Sequence, residues 1–194
     1  MAYDGKEILR RELPPAHMKG AHDMMRIGHG FDVHAFAEGR ELVLGGVRVP
    51  CARGLAGHSD ADVVAHAVMD AVLGALRAGD IGGLFPDADP AYEGADSLGL
   101  MREVAALARG RGWRVADVDC TIAAQAPKLA PYREEMRANM AAALGVPVDS
   151  VGVKATTTER LGFVGREEGI AAWAVALIER AEVDFQPQRN TLSR

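Results

Sequence analysis

The sequence lacks the features that would place the protein in an oxidising compartment or in a membrane. It has only two cysteines, Cys51 and Cys120, far apart and outside any C-x-x-C pair, so neither a disulfide scaffold nor a thiolate zinc site is expected. Its longest apolar run, residues 170–178, is half the roughly 18 residues that a transmembrane helix needs. Residues 1–25 contain no apolar segment of the kind found in secretory signals. We therefore expect a cytoplasmic protein in which residues 1–25 form a mobile N-terminal extension.

Strong positive charge and the common nucleotide and hydrolase motifs are also missing. Acidic residues outnumber basic ones by 27 to 22, so no broad basic surface is available and we expect no nucleic-acid or membrane partner. The sequence contains no G-x-x-x-x-G-K-[ST], G-x-G-x-x-G, H-E-x-x-H or G-x-S-x-G motif. P-loop, Rossmann, zincin and serine-hydrolase classes are therefore disfavoured, and any phosphate chemistry must depend on local groups.

The apolar content is sufficient for one folded domain. The chain has 194 residues, of which 48% are hydrophobic. We therefore expect a single catalytic domain over residues 26–182, followed by a C-terminal tail over residues 183–194. Hydrophobic periodicity and turn residues predict the elements in this order: paired strands or a hairpin at 26–36 and 41–50, a helix capped by 59–62 and closed by Arg77 and Gly79, a loop over 80–92, helix 97–109, strand 113–125, a helix from Pro131 to about Leu144, and strands 151–158 and 170–178.

This order predicts an α+β fold, with one mixed four- to five-stranded sheet and a helical layer on one face. A chain of 194 residues has little left to cover the other face of the sheet. We therefore expect a homo-oligomer whose sheets face each other.

Three residues could share a metal ion. Asp32 and His34 lie at i and i+2, on one face of a predicted strand, and His66 lies in a polar row, Asp62–His66–Asp70, on the predicted helix. One interpretation is an Asp–His hydrogen bond at the strand end and a solvent-facing row on the helix. The other is that Asp32, His34 and His66 form the open tetrahedral site typical of catalytic zinc, with Asp62, Asp70 or a backbone carbonyl holding the second imidazole nitrogens.

Other polar groups could bind phosphate, each with a simpler interpretation beside it. His58 and Ser59 lie at a helix start, where an anion is favoured, but Ser59 is also a helix cap and His58 could be an exposed loop residue. The segment 156–159 offers three threonine hydroxyls and the Glu159 carboxylate for a divalent cation, or else forms a capping box. Arg166 could reach a phosphate or pair with Glu167 or Glu168. Lys128, at a strand end, is a weak phosphate candidate.

Five segments together carry a resemblance to a known family. They are GHGFDVHAF (28–36), GHSDADVVAHAVMDAVLGAL (57–76), GDIGGLFPDADP (79–90), TIAAQAPKLAPY (121–132) and VKATTTERLGFVGREEGIA (153–171). In this order and without large gaps, the chain resembles the 2-C-methyl-D-erythritol 2,4-cyclodiphosphate synthase family from about residue 26 to 178.

The resemblance implies a reaction and an assembly. The reaction is a metal-dependent intramolecular phosphoryl transfer in the non-mevalonate route to isoprenoids. It converts 4-diphosphocytidyl-2-C-methyl-D-erythritol 2-phosphate to 2-C-methyl-D-erythritol 2,4-cyclodiphosphate with release of CMP, and makes the enzyme a phosphorus-oxygen lyase. The assembly is a homotrimer with sheets facing the threefold axis and active sites between neighbouring subunits. An isoprenoid diphosphate is a possible ligand on that axis.

The resemblance also implies roles for individual residues. Zinc would be held by Asp32, His34 and His66, and a second ion, magnesium or manganese, by Glu159. His58 and Thr157 would stabilise the transition state as catalytic residues. The substrate-binding residues would be Ser59, Asp80, Ile81, Gly82, Asp87 and Asp89 around the erythritol and phosphates, then Ala124, Gln125, Ala126, Pro127, Lys128, Leu129, Ala130, Thr156 and Thr158 around the cytidine half, and Phe163 and Arg166 at the axis.

One residue departs from the family pattern, and two other functions are compatible with the residues. Ala130 is smaller than the apolar side chain expected against the nucleotide, which bears on nucleotide affinity. A zinc phosphohydrolase, in which a metal-activated water gives a linear product, would use the same ligands. A non-catalytic trimeric module that binds an isoprenoid diphosphate through Phe163 and Arg166 is the third possibility.

Overall fold

The structure, a computed structural model, describes residues 24–86, 89, 92 and 94–181. Apart from Met24 and Met25, the predicted terminal segments 1–25 and 183–194 lie outside the described residues. The strands and helices are, in chain order, β1 (Met25–Ala37), β2 (Leu42–Leu44), β3 (Val47–Val49), β4 (Gly54–Leu55), α1 (Val63–Leu76), α2 (Ile81–Leu84), α3 (Ser97–Gly110), β5 (Trp113–Ala123), α4 (Arg133–Leu144), β6 (Val151–Thr156), α5 (Gly162–Gly165) and β7 (Gly169–Arg180).

The predicted mixed sheet is confirmed, with five strands in the order β4-β1-β7-β5-β6. β7 pairs antiparallel with both β1 and β5, whereas β5 and β6 are parallel. The segment 170–178, predicted to be a strand, lies at the centre of the sheet; its residues on the helix side are buried, whereas Trp173 and Val175 on the other face are exposed. Because β1, β5 and β6 run in the same direction, their C-terminal ends lie along the same side of the sheet. We call this row of strand ends the site edge.

The predicted pairing of 26–36 with 41–50 is wrong. Residues 41–50 fold on themselves instead, since β2 pairs with β3 in a separate two-stranded sheet. The turn between them is Gly45–Gly46, and both glycines have positive φ, which a two-residue hairpin turn requires. β1 pairs with β7 and with β4, both distant in the sequence.

The helices occupy one face of the sheet, as predicted. α1 packs on β1 and β7, α3 packs on α1, and α4 packs on α3 and β6. The opposite face presents a row of exposed apolar side chains from β1 and β7, namely Ile27, Phe31, Val33, Trp173 and Val175. Such a patch on a sheet face is typical of an interface.

The start of α1 differs from the sequence expectation. The N-cap is Asp62, not Ser59: its carboxylate accepts hydrogen bonds from the amides of Val64 and Ala65, and the same carboxylate accepts from the amides of Gly45 and Gly46 at 2.8 and 2.6 Å. Asp62 is fully buried and thereby joins the β2–β3 turn to the helix start. The predicted end is confirmed, because Arg77 is the left-handed C-cap.

α1 lies unusually close to β1 because glycines face alanines across the contact. A Cβ atom on Gly30 would be 2.0 Å from the carbonyl oxygen of Ala67, and one on Gly28 would be 1.9 Å from that of Ala71. Both alanines are fully buried. The absence of side chains on β1 therefore allows the helix backbone to rest on the strand, which brings His66 beside Asp32.

The two cysteines are free, and their surroundings predict very different reactivity. Cys51 is exposed, whereas Cys120 is buried in β5, and burial raises the pKa of its thiol to about 12. At a pH of about 8 we expect Ellman's reagent to modify Cys51 alone in the native protein, and both thiols after unfolding in guanidinium. The Cys51→Ser variant should then show no native reaction. Two equally fast thiols in the native protein would contradict this prediction.

Candidate metal centre and substrate pocket

Asp32, His34 and His66 converge on one point at the site edge. The Asp32 Oδ2 atom lies 2.9 Å from His66 Nδ1 and 3.0 Å from His34 Nε2, and the two imidazole nitrogens are 3.2 Å apart. β1 supplies the first two residues from one face of the strand, and α1 supplies the third. The three are the only His, Cys, Asp or Glu cluster of metal-binding geometry among the described residues. The structure thus brings together the three residues that one of the two interpretations of the sequence had grouped.

The electrostatics of the triad favour a cation. Burial alone acts to raise the pKa of Asp32, but hydrogen bonds and charge interactions with His34 and His66 outweigh it and hold the pKa well below its ordinary value. Burial acts to lower the pKa of His34, whereas the Asp32 carboxylate raises it, and the net result lies above the ordinary value. A divalent cation bound to these atoms would replace the proton that the cluster now favours.

The second nitrogen of each imidazole has its own partner. His34 Nδ1 donates to the carbonyl oxygen of Ala56 at 2.5 Å, one of the partners considered from the sequence. His66 Nε2 lies 3.0 Å from Ser97 Oγ and 3.2 Å from Ser59 Oγ, which the sequence did not predict. Ser97 marked only the start of a predicted helix, and nothing in that pattern places it near His66.

The solvent-facing alternative for the Asp62–His66–Asp70 row is wrong. Asp62 and His66 are buried, and Asp70 is half-buried and accepts a hydrogen bond from the Ile81 amide at 2.8 Å. Neither carboxylate contacts an imidazole of the triad. Asp70 instead fixes the start of α2, whose short turn was predicted to be part of a loop.

A cavity of about 230 Å³ opens in front of the triad. Of the residues that the resemblance assigns to the erythritol and phosphates, Ser59, Ile81 and Gly82 line it, and so does His58, which the resemblance assigns to the transition state. The remaining wall is largely apolar and consists of Met69, Phe85, Tyr92 and Leu100. The cavity therefore pairs a polar, cation-favouring end with a wall that excludes water.

The loop that carries His58 is held by an arginine that the sequence reading missed. Arg40 donates one hydrogen bond to the carbonyl oxygen of Gly57 at 2.7 Å and another to that of Ser59 at 2.5 Å. These two carbonyls flank His58, which is itself exposed. Arg40 thus fixes the backbone on both sides of His58.

Two aspartates assigned by resemblance, Asp80 and Asp89, do not line the cavity. Asp80 is exposed and caps α2 by accepting a hydrogen bond from the Gly83 amide at 2.8 Å. Asp89 is exposed, and Asp87 lies outside the described residues. Their proposed contacts with substrate remain predictions.

The residues assigned to the nucleotide and the second ion form a separate group at the ends of β5 and β6. Thr157 Oγ1 donates to Glu159 Oε1 at 2.6 Å, and the Arg160 amide donates to Gln125 Oε1 at 3.2 Å. Glu159 and Arg160 both have positive φ, so the chain turns sharply here. The next helix, α5, has Leu161 as its N-cap and no side-chain cap, so 156–159 is not a capping box.

The two groups lie apart within one chain. The register places His34 level with Ile170, Ala123 level with Ala171, and Thr156 level with Ala123, so three strand spacings separate β1 from β6. At about 4.8 Å per spacing this is about 14 Å. No residue of 124–130 or 156–159 lines the cavity in front of the triad.

Phe163 and Arg166 lie in and just after α5. Arg166 forms a two-pronged ion pair with Glu168, at 2.7 and 3.1 Å, one of the pairings considered from the sequence. Phe163 is partly exposed. Their role on a threefold axis remains a prediction.

Among the described residues, no helix is both long and apolar enough to cross a membrane.

Comparison with known proteins adds a consistent set of relatives. The YgbB family model matches residues 25–179. The 2-C-methyl-D-erythritol 2,4-cyclodiphosphate synthase of Thioalkalivibrio sulfidiphilus is 64% identical over 80% of this chain and 97% of its own length. The synthase of Geobacter metallireducens is 63% identical over 80% of this chain and 99% of its own length. The IspF of Plasmodium falciparum, solved as a CDP complex, has a TM-score of 0.72 at 31% identity, over 82% of this chain and 99% of its own. The bifunctional IspDF of Campylobacter jejuni has a TM-score of 0.79 at 41% identity, and the match spans 81% of this chain but 43% of that protein.

Proposed function

The chain belongs to the YgbB family, and on that premise we propose that it converts 4-diphosphocytidyl-2-C-methyl-D-erythritol 2-phosphate to 2-C-methyl-D-erythritol 2,4-cyclodiphosphate and CMP. The product is the one named for its relatives at 63–64% identity. The reaction belongs to the non-mevalonate route to isoprenoids, and its chemistry is that of a phosphorus-oxygen lyase. The observation that carries the proposal is the convergence of Asp32, His34 and His66 at a cavity.

The donor atoms of the triad fit zinc. Two imidazole nitrogens and one carboxylate oxygen are a common set for catalytic zinc, with the fourth position left for substrate. A tetrahedral ion with bonds of about 2.0–2.2 Å keeps its ligand atoms about 3.3–3.5 Å apart. The observed 2.9–3.2 Å separations need only a slight outward shift. Bound there, zinc would act as a Lewis acid on a phosphoryl oxygen of the substrate.

The protein groups around the triad suit an intramolecular attack. The nucleophile, an oxygen of the 2-phosphate, is already an anion, so no strong general base is required. It bonds to the β-phosphorus while the bond between that phosphorus and the bridging oxygen breaks, and CMP leaves with the electron pair. The apolar wall of Met69, Phe85 and Leu100 excludes water that would compete as nucleophile, and His58 faces the same space.

The nucleotide end of the substrate is assigned to the second group of residues. We propose that Glu159 holds magnesium or manganese and that Thr157, already hydrogen-bonded to it, acts beside that ion. Residues 124–130, with Thr156 and Thr158, would hold the cytidine half. The neighbouring Plasmodium falciparum structure was solved with CDP, which supports a cytidine-containing substrate.

The separation of the two groups supports an active site shared between chains. Three strand spacings, about 14 Å, separate the strands from which the two groups extend, and a diphosphate is shorter than this, which supports a Glu159 group supplied by a neighbouring subunit. We propose the homotrimer that the resemblance implies, with the exposed apolar face of β1 and β7 turned towards the threefold axis. Phe163 and Arg166 would then lie near the axis, where an isoprenoid diphosphate could bind. Free cysteines fit a cytoplasmic location.

One assay tests the proposed reaction. Purified protein is incubated with the proposed substrate, with and without a zinc chelator, and CMP release is followed while phosphorus NMR identifies the product. We expect metal-dependent CMP release and a cyclic diphosphate. Inorganic phosphate with a linear product would favour a zinc phosphohydrolase, and no CMP release would favour a binding module.

The role of Glu159 gives a separable prediction. We expect Glu159→Gln to retain one zinc per chain, because Glu159 is not in the triad, but to lose about 100-fold in kcat and most of its response to added magnesium or manganese. Glu103→Gln, on the outer surface of α3, serves as the matched control. Unchanged magnesium dependence in the Glu159 variant would count against the assignment.

A further inference from the structure

A chain of hydrogen bonds extends behind His66, on the side away from the metal position. His66 Nε2 lies 3.0 Å from the hydroxyl of Ser97, and that hydroxyl in turn donates to Asp60 Oδ1. The Ser97 amide donates to the other oxygen, Asp60 Oδ2, at 3.1 Å. Ser97 is fully buried, so water does not compete for its hydroxyl.

The direction of this chain is fixed by chemistry. The single hydroxyl proton of Ser97 is donated to the Asp60 carboxylate, which accepts it at Oδ1. The Ser97 oxygen therefore faces His66 with a lone pair and must receive a proton from Nε2. His66 thus carries a hydrogen on Nε2, so the ring nitrogen that can bind a metal ion is Nδ1, which faces Asp32 and His34.

The two histidines of the triad consequently use opposite tautomers. His34 carries its hydrogen on Nδ1, which donates to the Ala56 carbonyl, and presents Nε2 to the metal position. His66 does the reverse. A backbone carbonyl selects the tautomer of His34, whereas a side chain selects that of His66, so only the second can be removed by substitution.

The Ser97 hydroxyl is not needed to cap its helix. The N-cap of α3 is Asp96, whose carboxylate accepts from the Leu98 amide, and Asp60 accepts from the Ser97 amide. The hydroxyl contributes only to the chain between Asp60 and His66. Ser59 also approaches His66 Nε2, at 3.2 Å, and its oxygen, which accepts from the Ala61 amide, is a second and longer acceptor for the same N–H.

We propose that Ser97, aligned by Asp60, is a positioning residue that fixes the tautomer and orientation of His66 for metal binding. This inference rests on one part of the proposed function, namely that the triad binds zinc, and does not depend on the proposed reaction. Groups that hold a metal-ligating imidazole from behind contribute about 10- to 100-fold to metal affinity. The same contribution is expected of the Ser97 hydroxyl.

The test measures zinc affinity and the tautomer, both without substrate. The Kd for zinc is determined by competition with a chromogenic chelator for the wild type, Ser97→Ala and the control Ser150→Ala, which lies in the turn before β6. We expect Ser97→Ala to bind zinc about 10- to 100-fold more weakly and the control to match the wild type. In the metal-free protein, proton–nitrogen NMR of labelled histidines should show His66 with its hydrogen on Nε2, and Ser97→Ala should populate the other tautomer.

The outcomes separate this inference from the proposed function. A zinc Kd within twofold of the wild type, together with an unchanged His66 tautomer, would overturn the role of Ser97 even in an active enzyme. Wild-type protein that binds zinc but releases no CMP would overturn the proposed reaction and leave the role of Ser97 intact. If Ser97→Ala fails to fold, Asp60→Asn, which keeps the side-chain volume, decides by the same two measurements and should weaken zinc binding at least threefold.

Discussion

Replacing His66 with alanine is expected to abolish zinc binding and to lower kcat by about 1000-fold or more. The substitution removes one of three ligand atoms and leaves Asp32 and His34, which meet from a single strand, without the donor supplied by α1. A two-donor site does not hold zinc at the low free concentrations of a buffered assay. Metal analysis of the purified variant and CMP release measure the two effects together.

The matched comparison for this variant is His58→Ala. His58 lines the same cavity but supplies no atom to the triad. We expect that variant to retain one zinc per chain and still lose activity, which separates loss of the metal from loss of a pocket imidazole. An His66→Ala protein with a full complement of zinc and near-normal turnover would show that the triad is not the metal site.

Replacing Gly30 with alanine is expected to lower the free energy of unfolding by about 3 kcal/mol. The new Cβ would lie 2.0 Å from the Ala67 carbonyl oxygen and 2.7 Å from the Ala71 amide, both backbone atoms that cannot turn away. Non-bonded heavy atoms pack about 3.5 Å apart, so either the strand or the helix must move by roughly 1 Å or more to make room for the new Cβ atom. The movement separates His66 from Asp32, so zinc affinity should fall as well.

Gly74 provides the matched control on the other side of the same contact. A Cβ there would be 3.7 Å from the His29 carbonyl oxygen, an ordinary contact distance, and the residue lies inside α1. Gly74→Ala should raise the free energy of unfolding by up to about 1 kcal/mol, because alanine favours the helix. Urea unfolding of both variants at one protein concentration checks the pair, since assembly also contributes to stability. Equal stabilities for the two variants would contradict the close-packing argument.

The sequence was sufficient for most elements and for part of the triad. Asp32 and His34 lie at i and i+2, so their common face could be predicted from spacing alone. His66 could be added only as one of two interpretations, because its helix is distant in the sequence. Residues 170–178 were predicted as a strand from their short apolar run and the Gly169 boundary, whereas their central position in the sheet was not predicted.

The pairing of β1 and the groups behind the ligands could not be obtained in this way. Periodicity shows which face of a strand is buried but not which strand lies next to it, and β1 pairs with β7, about 140 residues away. Gly28 and Gly30 were considered only as part of an absent dinucleotide motif, because the helix that excludes their side chains is distant in the sequence. Ser97 and Arg40 act through hydrogen bonds across such distances and leave no local pattern.

The register of β1 with β7 also determines where other polypeptides can be joined to this domain. Met25 pairs with Glu179, so the first and last strands enter and leave side by side. At about 3.4 Å per residue, Met25 is about 24 Å along the strand from Asp32. A polypeptide joined directly to the described strands, at Met25 or at Arg180, therefore begins at the end of the sheet that lies away from the triad.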